Sequence, residues 1–195
     1  MRQIQKAVVA LCGTGAVGSN LAVNLVRQGF SALILIDHDR VEPHNLGTQV
    51  WSETEVGLPK AECLRNRVYD ELGLEIEARV KELTAKNAKK LLQGALIVVD
   101  SFDNSESRKL VKSYGLNTGT PCLHVGLNGD YAEVIWNENY RVPSDEGQDI
   151  CDYPLARNLI LMAVAVASES LIRFITREEK KNYTITLGDF AVREF

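Results

Sequence analysis

A glycine-rich loop is the feature that most constrains the fold of this chain. Residues 13–18 read GTGAVG, a GxGxxG pattern, and they directly follow an apolar run at residues 7–12. Residues 17–28 place apolar side chains at helical spacing, and Gly29 ends the predicted helix. A buried strand, a tight glycine turn and a helix in this order predict a nucleotide-binding unit, with phosphates at the helix N-terminus. The alternative is a glycine turn that serves only close packing.

Strand-like and helix-like segments alternate along the rest of the chain. Strands are predicted at residues 7–12, 33–36, 75–80, 95–99, 121–125, 131–136, 184–187 and 190–193, and helices at 17–28, 59–72, 85–93, 106–117 and 155–175. This alternation predicts an α/β fold with a doubly wound, mostly parallel sheet of Rossmann type. No linker or repeat is visible, so we expect one domain over residues 1–195, with an irregular loop at 137–152.

Composition and charge exclude several classes of protein. Apolar residues make up 45% of the chain and charged residues 25%, which is typical of a globular protein. The net charge of −4 disfavours a nucleic-acid partner. The longest apolar stretch, residues 159–167, is too short to span a bilayer, and we expect a core or dimer-facing helix there. Because residues 1–15 lack the pattern of a signal peptide, we expect a cytoplasmic protein.

Polar side chains follow the predicted parallel strands, at the edge of the sheet where ligands bind in such folds. Asp37 ends the second strand, 19 residues after Gly18. A carboxylate at this position accepts hydrogen bonds from ribose hydroxyls, although a solvated carboxylate at a strand end is the alternative. The glycine loop and Asp37 fit ATP and NAD equally well.

Three further blocks separate these two nucleotides. They read DHDRVEPHNL at residues 37–46, GLPKA at 57–61 and DNSESR at 103–108. Together with the glycine loop, and in this order and spacing, they resemble the ThiF/MoeB/ubiquitin-activating-enzyme superfamily over roughly residues 7–136. The resemblance implies ATP-dependent adenylation of the C-terminal carboxylate of a small ubiquitin-like or sulfur-carrier protein. It also implies a partner tail ending in Gly-Gly, and a homodimer or one half of a heterodimer.

The resemblance implies a role for each residue of the site. The residues implied to bind the nucleotide are Gly13, Gly15, Gly18, Asp37, Asp39, Asn45, Lys60 and Asp103. The three glycines face the phosphates, Asp37 holds the ribose, and Asn45 and Lys60 contact the phosphates. Asp103 positions Mg²⁺, which prefers carboxylate, phosphate and water oxygens. Because the attacking carboxylate is already ionised at neutral pH, charge neutralisation is needed and a general base is not.

Each of these residues also has a plainer interpretation. Lys60 could be a solvated charge on the first turn of a helix, and Asp103 could cap the helix that follows it. Asn45 could be a turn residue, and Asp39 could shape its loop without binding a ligand. Arg108, the last residue of the DNSESR block, could lie on a solvated helix face.

The chain departs from the superfamily pattern at two places. Thr48 stands where the family usually has an arginine that contacts the ATP phosphates, and the upstream cations Arg2 and Lys6 align poorly with a second family arginine. A catalytically silent, nucleotide-binding partner subunit is therefore one alternative function. An NAD(P)-dependent oxidoreductase is a second alternative, because the glycine loop and Asp37 suit that cofactor as well.

The cysteines and histidines form no metal-ligand spacing. No cysteine pair has CxxC spacing, so no zinc site is expected. Cys151 precedes the last long helix, where some family members carry a nucleophilic cysteine, and the resemblance makes it a candidate for thioester formation. Its neighbours Asp149 and Asp152 would raise the pKa of the thiol, which argues against reactivity. The remaining cysteines and the three histidines are interpreted as core or loop residues: Cys12, Cys63, Cys122, His38, His44 and His124.

Overall fold

The computed structural model describes residues 1–144 and 156–195. The strands are β1 (Val8–Cys12), β2 (Ala32–Ile36), β3 (Glu77–Arg79), β4 (Ile97–Asp100), β5 (Cys122–Asn128), β6 (Tyr131–Trp136), β7 (Tyr183–Thr186) and β8 (Ala191–Glu194). The helices are α1 (Arg2–Lys6), α2 (Ala16–Arg27), α3 (Lys60–Leu72), α4 (Ala88–Leu91), α5 (Ser105–Thr118) and α6 (Arg157–Arg177), with short 3-10 helices at Pro43–Gly47 and Glu53–Glu55.

All eight strands form one sheet in the order β3-β2-β1-β4-β5-β6-β7-β8. The five strands from β3 to β5 are parallel, since helical crossovers connect them. The three strands from β6 to β8 are antiparallel, and a two-residue turn at Gly129 and Asp130 joins β5 to β6. The predicted mostly parallel α/β sheet is confirmed, with an antiparallel extension at one end.

Hydrophobic side chains alternate across the central strands and cover both faces of the sheet. In β1, Val9 and Leu11 belong to the apolar cluster shared with α2 and α6, whereas Ala10 and Cys12 belong to the cluster on the opposite face. Side chains of successive residues in a strand point to opposite faces, so a strand covered on both sides is apolar throughout. This arrangement is the doubly wound architecture that the sequence predicts.

Helix α6 is the one helix of the described residues that is long and apolar enough to cross a membrane, by length and composition alone. In this fold it packs lengthwise on α2 and on the antiparallel half of the sheet. Leu159, Ala163 and Ala167 are fully buried along its inner side. Asn24 of α2 also donates a hydrogen bond of 2.9 Å to the hydroxyl of Ser168. The helix therefore forms part of the core, as its apolar sequence predicts.

Three elements differ from the sequence prediction. The first, α1 at Arg2–Lys6, is a short helix that the sequence analysis missed because it buries only Ile4. The second and third, β3 and α4, are shorter than predicted: β3 pairs with β2 only over Glu77–Arg79, and α4 extends only over Ala88–Leu91. Each short element has little apolar area, so the surrounding contacts set its length and the local pattern does not.

Candidate functional site

A cavity of about 410 Å³ lies at the carboxyl ends of β1, β2, β4 and β5. Its wall comes from the loops that follow these strands and from the first turns of α5. Parallel strands all end at the same edge of a sheet, so side chains far apart in sequence meet there. The predicted site residues that line the cavity are Gly13, Gly15, Asp37, Asp39, Asn45, Lys60 and Asp103.

The glycine loop uses its three glycines in different ways. Gly13 adopts a positive φ of 89° and donates a hydrogen bond of 2.9 Å to the Ile36 carbonyl. A Cβ on Gly15 would meet no atom within 4 Å, and this glycine borders the cavity. Gly18 does not line the cavity, and its Cβ would lie 2.0 Å from the Gly13 carbonyl oxygen. Gly13 and Gly15 thus border the cavity, whereas Gly18 lets α2 pack closely against the loop.

The carboxylate of Asp37 accepts hydrogen bonds from Thr14 and Asp39. Its Oδ2 accepts hydrogen bonds from the Thr14 amide at 2.6 Å and the Thr14 hydroxyl at 2.8 Å. Its Oδ1 accepts a bond of 2.8 Å from the Asp39 amide. Asp37 is therefore buried and bonded, unlike the solvated carboxylate of the alternative interpretation. Thr14 was not among the predicted site residues, although its position inside the glycine pattern was a usable signal.

Lys60 is a buried cation, since only 7% of the residue is exposed. Its Nζ lies 3.5 Å from Oδ2 of Asp39, and its amide donates a hydrogen bond of 2.9 Å to the Asp39 carbonyl. The solvated interpretation of Lys60 is therefore wrong. Asp39 shapes the loop and partly balances the lysine charge. A buried lysine that keeps its charge needs such a partner or a bound anion.

Asn45 and Thr48 both lie on the loop after β2, but only Asn45 reaches the cavity. Oδ1 of Asn45 accepts a bond of 3.0 Å from the Glu42 amide, so this residue also has the turn role considered for it. Thr48 is fully buried, and its hydroxyl has no partner among the described residues. Its carbonyl accepts bonds from the side chains of Asn20 at 2.8 Å and Arg157 at 3.1 Å. The sequence analysis missed Arg157, which lies 109 residues further along the chain.

Asp103 is exposed at the cavity wall, and Asn104 rather than Asp103 caps helix α5. Oδ1 of Asn104 accepts the capping bond of 2.9 Å from the Ser107 amide. Within the described residues, the one side-chain hydrogen bond of Asp103 is accepted by its Oδ1 from the Asn104 amide group, at 3.3 Å. Its carboxylate oxygens thus remain available, and such oxygens suit Mg²⁺. Asp37, His38 and Asp39 form a second cluster that could hold a metal ion. In this cluster the Asp37 carboxylate already accepts a hydrogen bond from the Asp39 amide.

Arg108 reaches the cavity from α5 and is buried, so the interpretation as a solvated residue is wrong. It donates hydrogen bonds to the Tyr140 hydroxyl at 3.0 Å and the Val125 carbonyl at 3.2 Å. The nearest carboxylate oxygen, Oδ2 of Asp100, lies 3.9 Å away. Burial lowers the pKa of Arg108, but the neighbouring Asp100 and Tyr140 raise it by more. The guanidinium therefore stays charged at the cavity wall.

A buried histidine network lies behind Arg108. Nδ1 of His124 is 2.7 Å from Oδ2 of Asp100, and Nε2 is 2.8 Å from Oδ1 of Asn137. The imidazole also stacks on the ring of Tyr140, with centroids 3.7 Å apart. Oδ1 of Asp100 accepts a bond of 3.1 Å from the Phe102 amide, which fixes the loop that carries Asp103. His124 is a core residue, as predicted, but local sequence patterns could not predict these partners.

Comparisons with known proteins decide the family. The sequence profile of the ThiF family matches residues 1–192. The chain belongs to the ThiF family. It is 31% identical over 134 residues to the sulfur carrier protein ThiS adenylyltransferase of Bacillus subtilis, which is 67% of this chain and 40% of that relative. It is 35% identical over 123 residues to a sulfur carrier protein adenylyltransferase of Thermus thermophilus, which is 62% of this chain and 45% of that relative.

Other similar proteins carry different names. The tRNA threonylcarbamoyladenosine dehydratase 1 of Saccharomyces cerevisiae is 30% identical over 146 residues, which is 66% of this chain and 34% of that relative. The matched region thus spans about a third to less than half of these curated relatives. The crystal structure of Escherichia coli MccB with ATP has a TM-score of 0.81 at 20% identity, covering 100% of this chain and 65% of that chain. It supports the same Rossmann-type fold.

The described cysteines of this ThiF-family chain are unsuited to nucleophilic chemistry. Cys12, Cys63 and Cys122 are buried and form no disulfide. Burial raises the pKa of all three thiols, that of Cys122 to about 12. A raised pKa leaves little thiolate, the reactive form, at neutral pH. Cys151, the predicted nucleophile, lies outside the described residues, as does the second half of the loop predicted at 137–152.

Proposed function

We propose that this chain uses ATP to adenylate the C-terminal carboxylate of a small ubiquitin-like or sulfur-carrier protein. The observation that carries the proposal is the shared cavity, in which a buried lysine and an exposed aspartate border the same space as the glycine loop. A dinucleotide oxidoreductase has no need of Lys60 and Asp103 facing a triphosphate. The two bacterial relatives, both named as sulfur carrier protein adenylyltransferases, support the same reaction.

The reaction joins two anions, and the site residues offset their repulsion. A carboxylate oxygen of the carrier attacks the α-phosphorus of ATP, an O–P bond forms, the bond between the α- and β-phosphates breaks, and pyrophosphate leaves. No proton moves, so no general base is needed. Lys60 and the amides of the glycine loop stabilise the phosphate charge, and Asp37 accepts hydrogen bonds from the ribose. Asn45 adds a polar contact near the phosphates.

Asp103 is the residue that would hold Mg²⁺. The ion would neutralise phosphate charge, while Asp103 contributes one carboxylate to its oxygen ligands. Asp39 stays paired with Lys60 and thereby keeps the lysine directed along the loop. No zinc is required for this chemistry.

The proposal includes the carrier protein, the cellular location and the oligomeric state. The carrier tail ends in Gly-Gly, because a tail without side chains can approach the phosphates closely. Residues 1–195 act as one adenylation domain, in the cytoplasm, as a homodimer or as one half of a heterodimer. Neither nucleic acid nor a membrane takes part.

Isotope exchange between ATP and pyrophosphate tests the proposal directly. We expect the purified chain to exchange labelled pyrophosphate into ATP only when its carrier protein is present, and to bind ATP with Mg²⁺ in preference to NAD. The silent-subunit alternative, motivated by Thr48, predicts ATP binding without exchange. Preferential binding of NAD would instead support the oxidoreductase.

A second step at Cys151 is part of the proposal. Its thiolate, after losing its proton to solvent, attacks the acyl adenylate, so that a thioester forms and AMP leaves. The proposal for Cys151 rests on its place in the sequence before the last long helix, where some family members carry a nucleophilic cysteine.

The cysteines give a separate prediction. We expect Cys151→Ala to leave pyrophosphate exchange unchanged but to abolish a thiol-sensitive conjugate with the carrier. We also expect iodoacetamide to modify Cys151 in the native protein at pH 8, while Cys12 and Cys122 react only after denaturation, since burial raises the pKa of both thiols. Mass spectrometry of the peptides measures both results. A conjugate that persists in Cys151→Ala would contradict the second step.

A further inference from the structure

Positive charge lies at both ends of the cavity. Lys60 borders it beside the loop that follows β2, and Arg108 borders it beside Val125 of β5. The sheet order places β1 and β4 between these two strands, so three strand spacings separate them. At about 4.8 Å for each spacing, β2 and β5 lie on the order of 14 Å apart across the sheet. One end therefore suits the nucleotide phosphates, and the other is free to serve a second anionic group.

Among the residues that the structure describes, no carboxylate is hydrogen-bonded to Arg108. Its hydrogen-bond acceptors, the Tyr140 hydroxyl and the Val125 carbonyl, are both neutral. Asp100, at 3.9 Å, is too distant for a hydrogen bond, and its nearer oxygen lies against His124. A guanidinium has five N–H donors, of which these contacts use two. The remaining donors can bind a carboxylate in the two-point geometry that arginine favours.

Gly126 keeps space open beside this guanidinium. A Cβ at Gly126 would lie 3.6 Å from Nη1 of Arg108 and 3.3 Å from Cγ of Glu133. Glu133 is partly buried here, and burial raises the pKa of its carboxyl despite the nearby Arg108. A side chain at Gly126 would therefore crowd the region where a charged donor and a poorly solvated carboxyl meet, and glycine avoids this.

We propose that Arg108 binds the terminal carboxylate of the carrier tail and holds it against the α-phosphorus of ATP. This inference rests on the proposed adenylation and names the residue that recognises its second substrate. Leu110, Val125 and Leu127 add apolar residues to the lining of the cavity that Arg108 borders. A carboxylate bound in such surroundings interacts more strongly than it would in bulk water.

Arg108→Gln is the variant that tests the role in catalysis. We expect the KM for the carrier in pyrophosphate exchange to rise about 10- to 100-fold, the loss expected for a charged hydrogen-bonded pair, with the KM for ATP within about twofold. Lys109→Gln removes a charge from the exposed neighbour on the same helix and should leave both values unchanged. A rise in the KM for ATP instead would show that Arg108 contacts the phosphates, and an unchanged carrier KM would also overturn the proposal.

A milder variant covers the case in which Arg108→Gln does not fold. Tyr140→Phe removes one acceptor of Arg108 but keeps the ring that stacks on His124. Loss of one hydrogen bond should raise the carrier KM about fivefold, again without changing the KM for ATP. Thermal denaturation checks that each variant folds. A carrier KM equal to that of the wild type would count against the proposal.

Direct binding separates this inference from the proposed function. The probe is a ten-residue peptide ending in Gly-Gly, prepared as the free acid and as the C-terminal amide, with a non-hydrolysable ATP analogue present. Calorimetry should show that the wild type binds the acid at least about tenfold more tightly than the amide and that Arg108→Gln loses this preference. Equal binding of both peptides, or binding of neither, by the wild type would overturn the role of Arg108. Absence of pyrophosphate exchange in the wild type, with the acid preference intact, would overturn adenylation alone.

Discussion

Lys60→Ala should lower carrier-dependent pyrophosphate exchange by about 10³-fold, which is effectively a loss of activity. Lys60 is a buried cation of the cavity, and only Asp39 lies within ion-pair distance of its Nζ among the described residues. Removal of the lysine leaves the Asp39 carboxylate facing the triphosphate, so repulsion replaces attraction as negative charge accumulates in the transition state. The exchange assay at saturating ATP measures the effect.

Two further variants complete this experiment. Asp103→Ala should also abolish exchange, and added Mg²⁺ should not restore it, because the carboxylate proposed to hold the ion is gone. Lys89→Ala, which removes an exposed lysine from α4, is the matched control and should exchange at the wild-type rate. Wild-type exchange in Lys60→Ala or Asp103→Ala would overturn the roles assigned to these residues.

Gly18→Ala should destabilise the protein by about 3 kcal/mol or more, and lower the melting temperature by about 10 °C. The added Cβ would lie 2.0 Å from the Gly13 carbonyl oxygen and 2.8 Å from Oγ of Ser101. The first of these atoms belongs to the backbone, so the helix and the loop must separate to make room. Thermal denaturation followed by circular dichroism measures the change.

Gly188→Ala is the matched control for this clash. Its Cβ would approach only Oδ2 of Asp130, at 3.5 Å, which is an ordinary contact distance. We expect its melting temperature to stay within about 2 °C of the wild type, as for most surface substitutions. If Gly18→Ala proved equally stable, the close approach of α2 to the glycine loop would not be a constraint on this fold.

Much of the fold follows from local patterns in the sequence. The apolar run that becomes β1, the helical spacing of α2 and the alternation of such segments predicted a mostly parallel sheet. These patterns are reliable because the periods of strands and helices are set by backbone geometry, whatever lies around them. The same patterns placed Asp37, Lys60 and Asp103 after strands or at the start of a helix. Their meeting at one edge of the sheet follows from parallel topology alone.

The environment of each side chain was decided only by the tertiary structure. The sequence left Lys60 and Arg108 open to a solvated interpretation, and folding buries both at the cavity wall. His124 obtains its partners from Asp100 and Asn137, which lie on separate strands or loops. Burial and charge compensation depend on contacts between residues that are distant along the chain. Local periodicity does not predict such contacts. The sequence therefore determined at which ends of strands and helices the polar residues lie, and the tertiary packing determined which of them are buried, paired and able to act.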